Sequence, residues 1–306
     1  MKMIKAKEIL EKAAEERIAL GAFNAGNFAI VKAVIEQAQE KKTAVIVQMS
    51  PNETEYFGMK NFLDIVSNLK QKADVPIITN LDHGADLISC QKAIEAGFDM
   101  VHFDGSSLPY EENVKISKII VEEAHKRGVL VEGEIDKILG SSEVHEQDIE
   151  DNQDLYTDPK MAAEFVSATG IDTLAVFVGN RHGTYPEPLR IDLPRLRQIK
   201  ENASCFLCLH GGSGVENADI RKASCIVNKI NVNTELRIAY KETLENVLRG
   251  TEDLAIYKIM PPVIAAVKKV VEEKIDLFSC QEIEEQKESR EELENIGKNL
   301  GESYEI

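Results

Sequence analysis

Eight short apolar runs, separated by amphipathic stretches, limit the folds open to this chain more than any other feature. The runs occupy residues 19–24, 44–49, 76–80, 100–103, 129–132, 173–178, 205–209 and 226–232. Helical periodicity fills 30–41, 86–96, 114–126 and 159–169. Gly97, Gly128 and Gly170 stand at the ends of three of these stretches, where a left-handed C-cap is needed. Apolar strands alternating with helices predict a parallel sheet with helical crossovers. Eight such units in about 250 residues fit the α/β class as a closed (β/α)8 TIM barrel, better than an open doubly wound sheet. A hydrophobic content of 43% is enough to fill such a core.

Two segments break the rhythm. Residues 136–157 (DKILGSSEVHEQDIEDNQDLYT) form a polar stretch of 22 residues after the fifth strand. A loop of that length on the carboxyl side of a barrel strand reads as a lid. Residues 281–306 carry nine Glu against three Lys and Arg and read as an acidic helical tail, solvated and frayed. The expected organisation is therefore a barrel domain over 1–280 followed by the tail over 281–306.

Charge and targeting narrow the function. With 36 Lys and Arg against 53 Asp and Glu, the net charge of −17 argues against a nucleic-acid partner, though a local site can still attract a small anion. The first twenty residues are helical in pattern and carry early acids, unlike a secretory signal. No run approaches the roughly 18 apolar residues of a membrane span. The five cysteines, Cys90, Cys205, Cys208, Cys225 and Cys280, are scattered and odd in number, which predicts reduced thiols in a cytoplasmic protein. Cys205 and Cys208 have C-x-x-C spacing but lie in a strand, where residues three apart face opposite ways.

Barrel active sites form at the carboxyl ends of strands, and here those ends are unusually polar. Three of the six histidines, His83, His182 and His210, fall at strand ends and converge if the barrel closes. Three imidazoles with one open position are a common catalytic zinc arrangement. Glu134, at another strand end, can orient a ligand or hold an alternative metal position. Asp104 can bind a second metal or support the first. Asp82, beside His83, can act as acid and base on a substrate hydroxyl or orient a histidine. His125 and His145 carry weaker signals, and His102, inside the fourth strand, is expected to pack.

The run His210-Gly211-Gly212-Ser213-Gly214 precedes a predicted helix and follows the seventh strand, the usual place for a barrel phosphate site. Asn231, Asn233 and Thr234 at the next strand end can donate to the same phosphate. Helix capping before Glu235 is the simpler role for the two asparagines.

The segments NLDHG, FDGSS, VEGEI, VGNRHGTYPEP, LHGGSG and KINVNTELRIAY, in this order and spacing, resemble the class II metal-dependent fructose-bisphosphate and tagatose-bisphosphate aldolases across residues 19–278. The resemblance implies a zinc enzyme, with His83, His182 and His210 as ligands and Glu134 and Asp104 around a second or displaced metal position. It implies that Asp82 handles the C4 hydroxyl in cleavage and that a lid glutamate, Glu143 or Glu146, moves the proton on dihydroxyacetone phosphate. Gly183, Gly211 and Ser213, with Asn231, Asn233 and Thr234, match the phosphate pocket, and a monovalent cation, Na⁺ or K⁺, is implied beside it. Arg237 matches a position for the distal phosphate, across a subunit boundary. The implied partner is a phosphorylated sugar and the implied assembly a homodimer or homotetramer.

The lid run Leu139-Gly140-Ser141-Ser142-Glu143 departs from the family pattern, and an ungapped match would put Ser142 where the family has its Glu. Asp136 stands where Gly is usual, and His102 replaces a hydrophobic residue. Asn233 stands where many fructose-bisphosphate members have Asp and tagatose members Ala, so the sugar preference stays open. Two rivals remain: a Schiff-base aldolase using Lys229, and a non-catalytic sugar-phosphate binder that kept the fold.

Overall fold

The computed structural model describes residues 5–148 and 151–279. The elements run α1 (Ala6–Glu15), β1 (Leu20–Asn24), α2 (Phe28–Lys41), β2 (Val45–Met49), α3 (Pro51–Phe57), α4 (Met59–Lys70), β3 (Ile77–Gly84), α5 (Leu87–Ala96), β4 (Met100–Asp104), α6 (Tyr110–Lys126), β5 (Leu130–Glu134), β6 (Gly140–Val144), a 3₁₀ turn (Gln153–Leu155), α7 (Pro159–Thr169), β7 (Thr173–Val176), β8 (His182–Thr184), α8 (Leu193–Asn202), β9 (Phe206–Leu209), α9 (Asn217–Ala223), β10 (Lys229–Val232), α10 (Thr234–Gly250) and α11 (Ile256–Phe278). Eight parallel strands close in the order β1-β10-β9-β7-β5-β4-β3-β2, which is the expected barrel. Gly97 and Gly170 cap α5 and α7 in the left-handed conformation.

The strand period of two divides the residues between two cores. Outward residues such as Phe23, Val47, Val101 and Val131 pack against the helices. Inward residues Leu20, Ala22, Ile46, Ile78, Met100 and Leu130 meet Ile9, Leu10 and Ala13, so α1 plugs the amino-terminal mouth. Two residues further along these strands the inward positions become Asn24, Gln48, Asn80, His102 and Glu132, all buried. The barrel is thus apolar at its base and polar toward the carboxyl ends of its strands.

Three expectations need correction. The segment 136–157 is not an unstructured loop: β6 forms within it and pairs in parallel with β8. Its sequence, GSSEV, shows no apolar alternation, so only the distant backbone partner makes it a strand. The lid is fastened further along, where Asp151 accepts hydrogen bonds from Tyr156 Oη at 2.7 Å and Arg181 Nη2 at 2.9 Å. Second, the helix expected after the glycine-rich loop to add its dipole there is present but only seven residues long, beginning at Asn217 with Glu216 at its N-cap. Third, Cys225 is disulfide-bonded, whereas Cys90, Cys205 and Cys208 are free, because scattered spacing says nothing about proximity in space. The expected tail, 281–306, lies outside the described residues. Among the described residues no helix is long and apolar enough to cross a membrane.

Candidate active site

The site is organised by an irregularity in β3. Leu81 pairs with Val101 but Gly84 pairs with Phe103, so Asp82 and His83 together oppose the single residue His102. Such a bulge re-aims side chains that regular alternation would send to opposite faces. His83 takes φ +51°, a left-handed conformation that few non-glycine residues adopt. Consecutive Asp82 and His83 consequently both reach the barrel mouth.

His83, His182 and His210 do converge. Ring centroids lie 5.0 Å apart for His83 and His182, 4.8 Å for His83 and His210, and 5.9 Å for His182 and His210. Two of these rings have their outer nitrogens tied to carboxylates: His83 Nδ1 to Asp104 Oδ2 at 2.9 Å, and His210 Nε2 to Glu132 Oε1 at 2.7 Å. If those nitrogens carry the protons, the inner atoms, His83 Nε2 and His210 Nδ1, face each other at 3.1 Å with lone pairs opposed. A proton or a cation must lie between them. The separation is close to the roughly 3.3 Å edge of a tetrahedron with zinc–nitrogen bonds. Carboxylate-oriented imidazoles are the usual support of a metal ligand, so the donor set fits a divalent ion. His83, Asp104 and Glu134 also bring ligand atoms within 4.8 Å of one another, as do Asp82, His83, His102 and His210.

Ionisation follows the same grouping. Burial would lower His83, but Asp82 and Asp104 outweigh it and hold the imidazole above its ordinary value. His182 is held down at about 3 by burial and then by His83 and His210, so its lone pair is free at neutral pH. Burial would raise Asp82, yet the neighbouring imidazoles and the Lys229 ammonium keep it well below the usual carboxylate range. Asn24 Nδ2 donates to Asp82 Oδ2 at 3.1 Å and Asn231 Nδ2 to Oδ1 at 3.0 Å, which also favours the ionised form.

These groups sit below a cavity of about 290 Å³ lined by Asp82, His83 and His182, by Gly183, Gly211 and Ser213, and by Asn231, Asn233, Thr234 and Arg237. Ser141, Ser142 and Glu143 of β6 form part of its wall, whereas Glu146 does not line it. Close approach explains two glycines: a Cβ on Gly183 would lie 2.5 Å from the Glu143 carbonyl, and one on Gly211 2.1 Å from that of Arg181. The capping role for the asparagines does not hold. Asn233 precedes α10 without a side-chain cap, and Asn231 is committed to Asp82. Arg237 stands at the rim, 3.4 Å from Glu53 Oε1 and 3.5 Å from the Ser142 carbonyl.

A family model of class II fructose-bisphosphate aldolases matches residues 4–282. The chain belongs to that family. It is 36% identical over 285 residues to a fructose-bisphosphate aldolase of Staphylococcus epidermidis, covering 91% of this chain and 98% of the relative. It is 35% identical to the D-tagatose-1,6-bisphosphate aldolase subunit GatY of Klebsiella oxytoca, covering 92% and 99%. The crystal structure of the YdjI aldolase from Escherichia coli K12 superposes with a TM-score of 0.78 at 31% identity, covering 89% of this chain and 96% of that one.

Within this class II scaffold Lys229 is no Schiff-base nucleophile. It is fully buried, does not line the cavity, and lies 2.9 Å from Glu132 Oε2. Burial would lower it, but Cys208, Glu132 and Asp82 outweigh burial and hold it above the ordinary lysine value. A nucleophilic amine needs the opposite shift. Lys229→Met is expected to cost about 3–5 kcal/mol, since it leaves Glu132 without its ammonium partner. Urea unfolding checks this, and adding Glu132→Gln should recover part of the loss. An unchanged midpoint for Lys229→Met would show that the pair contributes nothing.

Glu132, Asn24 and Gln48 are not among the residues expected from the sequence. Gln48 donates to Asn24 Oδ1 at 3.0 Å, and Asn80 donates to Gln48 Oε1 at 3.0 Å, so a chain of amides braces Asp82. The signal that could find them is inward parity: each is a polar residue two places after an inward apolar one.

Proposed function

We propose that this class II aldolase catalyses reversible, zinc-dependent cleavage of D-fructose 1,6-bisphosphate to dihydroxyacetone phosphate and glyceraldehyde 3-phosphate, as a homodimer or homotetramer. The opposed His83 and His210 nitrogens, beside an ionised Asp82 under a polar cavity, carry this reading. His83, His182 and His210 would hold the zinc, with Asp104 and Glu134 able to serve a second position. A divalent cation held there supplies Lewis-acid charge against the negative charge that builds on the ketose oxygens. Asp82 accepts the C4 hydroxyl proton as the C3–C4 bond breaks and returns it in condensation. Glu143 delivers a proton to C3 of the departing half and removes it in reverse. Gly183, Gly211, Ser213, Asn233 and Thr234 receive the phosphate of the dihydroxyacetone half, with a monovalent cation beside them, and Arg237 meets the distal phosphate. Fixing both phosphates holds the reacting carbons in place.

Fructose and tagatose bisphosphates differ only in configuration at C4, the centre Asp82 serves. Comparing kcat/KM on the two, with defined metal content, is expected to favour fructose by about tenfold or more. A ratio near one would defeat the fructose preference. Binding without turnover of any ketose bisphosphate would replace the aldolase reading by that of a sugar-phosphate binder.

A further inference from the structure

The proposed reaction has no use for His102, yet this side chain lies at the centre of the site. Inward parity along β4 places it above Met100 and below Asp104, with no exposed surface. It stands alone across from the β3 bulge. The His83 amide donates to His102 Nδ1 at 3.0 Å. The acceptor role of Nδ1 leaves the ring proton on Nε2, which lies 3.3 Å from Glu134 Oε2. This is a close polar approach of two buried atoms, neither of which has a hydrogen-bond partner among the described residues. The ring also touches both opposed imidazoles, with centroids 4.8 Å from His83 and 4.9 Å from His210.

Both contacts bear on metal placement. A left-handed backbone is strained for a non-glycine residue, so His83 needs support from outside its own strand. Glu134, for its part, can reach an ion shared with His83 and Asp104. An N–H directed at Glu134 Oε2 competes with a second ion for that carboxylate.

We propose that His102 is a positioning residue that confines the divalent ion to one position: Nδ1 fixes the bulged backbone of His83, and Nε2–H restrains Glu134. The inference rests on the reading that an ion sits among the histidines, and it is independent of which sugar is cleaved. Co²⁺ titration of the chelator-stripped protein, followed by visible absorption and by competition with a chromophoric chelator, tests it. The native chain is expected to bind one tight equivalent. His102→Met should bind its first equivalent about 10–100-fold more weakly, with a shifted spectrum, and should take up a second equivalent as Glu134 is released. His102→Asn, whose Oδ1 can accept the His83 amide but which falls short of Glu134, should recover most of the first-site affinity while keeping the second equivalent.

One equivalent in His102→Met with native affinity and spectrum would overturn the inference. So would equal weakening in both variants with no second equivalent, the mark of a packing defect. If His102→Met fails to fold, the second equivalent in His102→Asn decides alone, and its absence overturns the restraint on Glu134. No Co²⁺ binding by the native chain would overturn the metal reading itself and this inference with it.

Discussion

Removing the divalent ion with a chelator is expected to abolish ketose bisphosphate cleavage, and Zn²⁺ is expected to restore it. Among the described residues, the charged groups considered for the mechanism are poor substitutes for that charge. Asp82 is an anion, Lys229 is buried against Glu132, and Arg237 stands at the rim beside Glu53. A loss of about 4 kcal/mol of charge stabilisation already slows the reaction about a thousandfold. The same experiment has a readout that needs no substrate: an ion at 100 times its Kd stabilises the folded state by about 2.7 kcal/mol, so the stripped protein should melt at lower temperature. The pH dependence has a definite sign. Ligand imidazoles must be unprotonated, and His83 is held above its ordinary value, so ion affinity should fall as pH drops through that raised value. Undiminished cleavage by a demonstrably metal-free preparation would end the zinc reading.

Asp82→Asn is expected to lower kcat for cleavage by about 10²–10⁴-fold with a small change in KM, because it removes the base while leaving the phosphate contacts in place. The substitution is nearly isosteric but offers one acceptor oxygen where Asn24 and Asn231 each need one. A stability cost of about 1–3 kcal/mol should therefore accompany it, visible in urea unfolding. The proposed division of labour between carboxylates gives a sharper check. Asp82 serves the C4 hydroxyl and Glu143 serves C3, so Asp82→Asn should still exchange solvent hydrogen into dihydroxyacetone phosphate. Glu143→Gln should lose that exchange. A variant at Asp82 that cleaves within a few-fold of the native rate would remove Asp82 from the mechanism.

Much of the site is legible in the amino-acid sequence because barrel geometry turns strand position into spatial position. Once eight strands are recognised, a histidine near a strand end lies close to the barrel mouth, and His83, His182 and His210 meet there, His83 with the help of the bulge and His182 from β8. The glycine-rich segment after the seventh strand is legible for the same reason. His102 is not: the sequence points to packing, since a lone histidine inside an apolar strand carries no mark of the bulge that faces it. The choice between Glu143 and Glu146 also lies beyond the sequence. It depends on β6 pairing with β8, which turns Glu143 into the cavity wall and leaves Glu146 outside it.

Local chemistry, then, determined which residues form the eight barrel strands, which of their positions face inward and where their polar ends lie, because these follow from short apolar runs and a two-residue period that neighbouring residues suffice to express. Tertiary structure alone decided how the inward polar groups pair: Asp104 with His83, Glu132 with His210 and Lys229, Asn24 and Asn231 with Asp82. Each of those contacts joins separate strands across the closed barrel or between neighbouring ones. Its geometry depends on register and on one bulge, quantities set by the whole sheet and by no single segment of it.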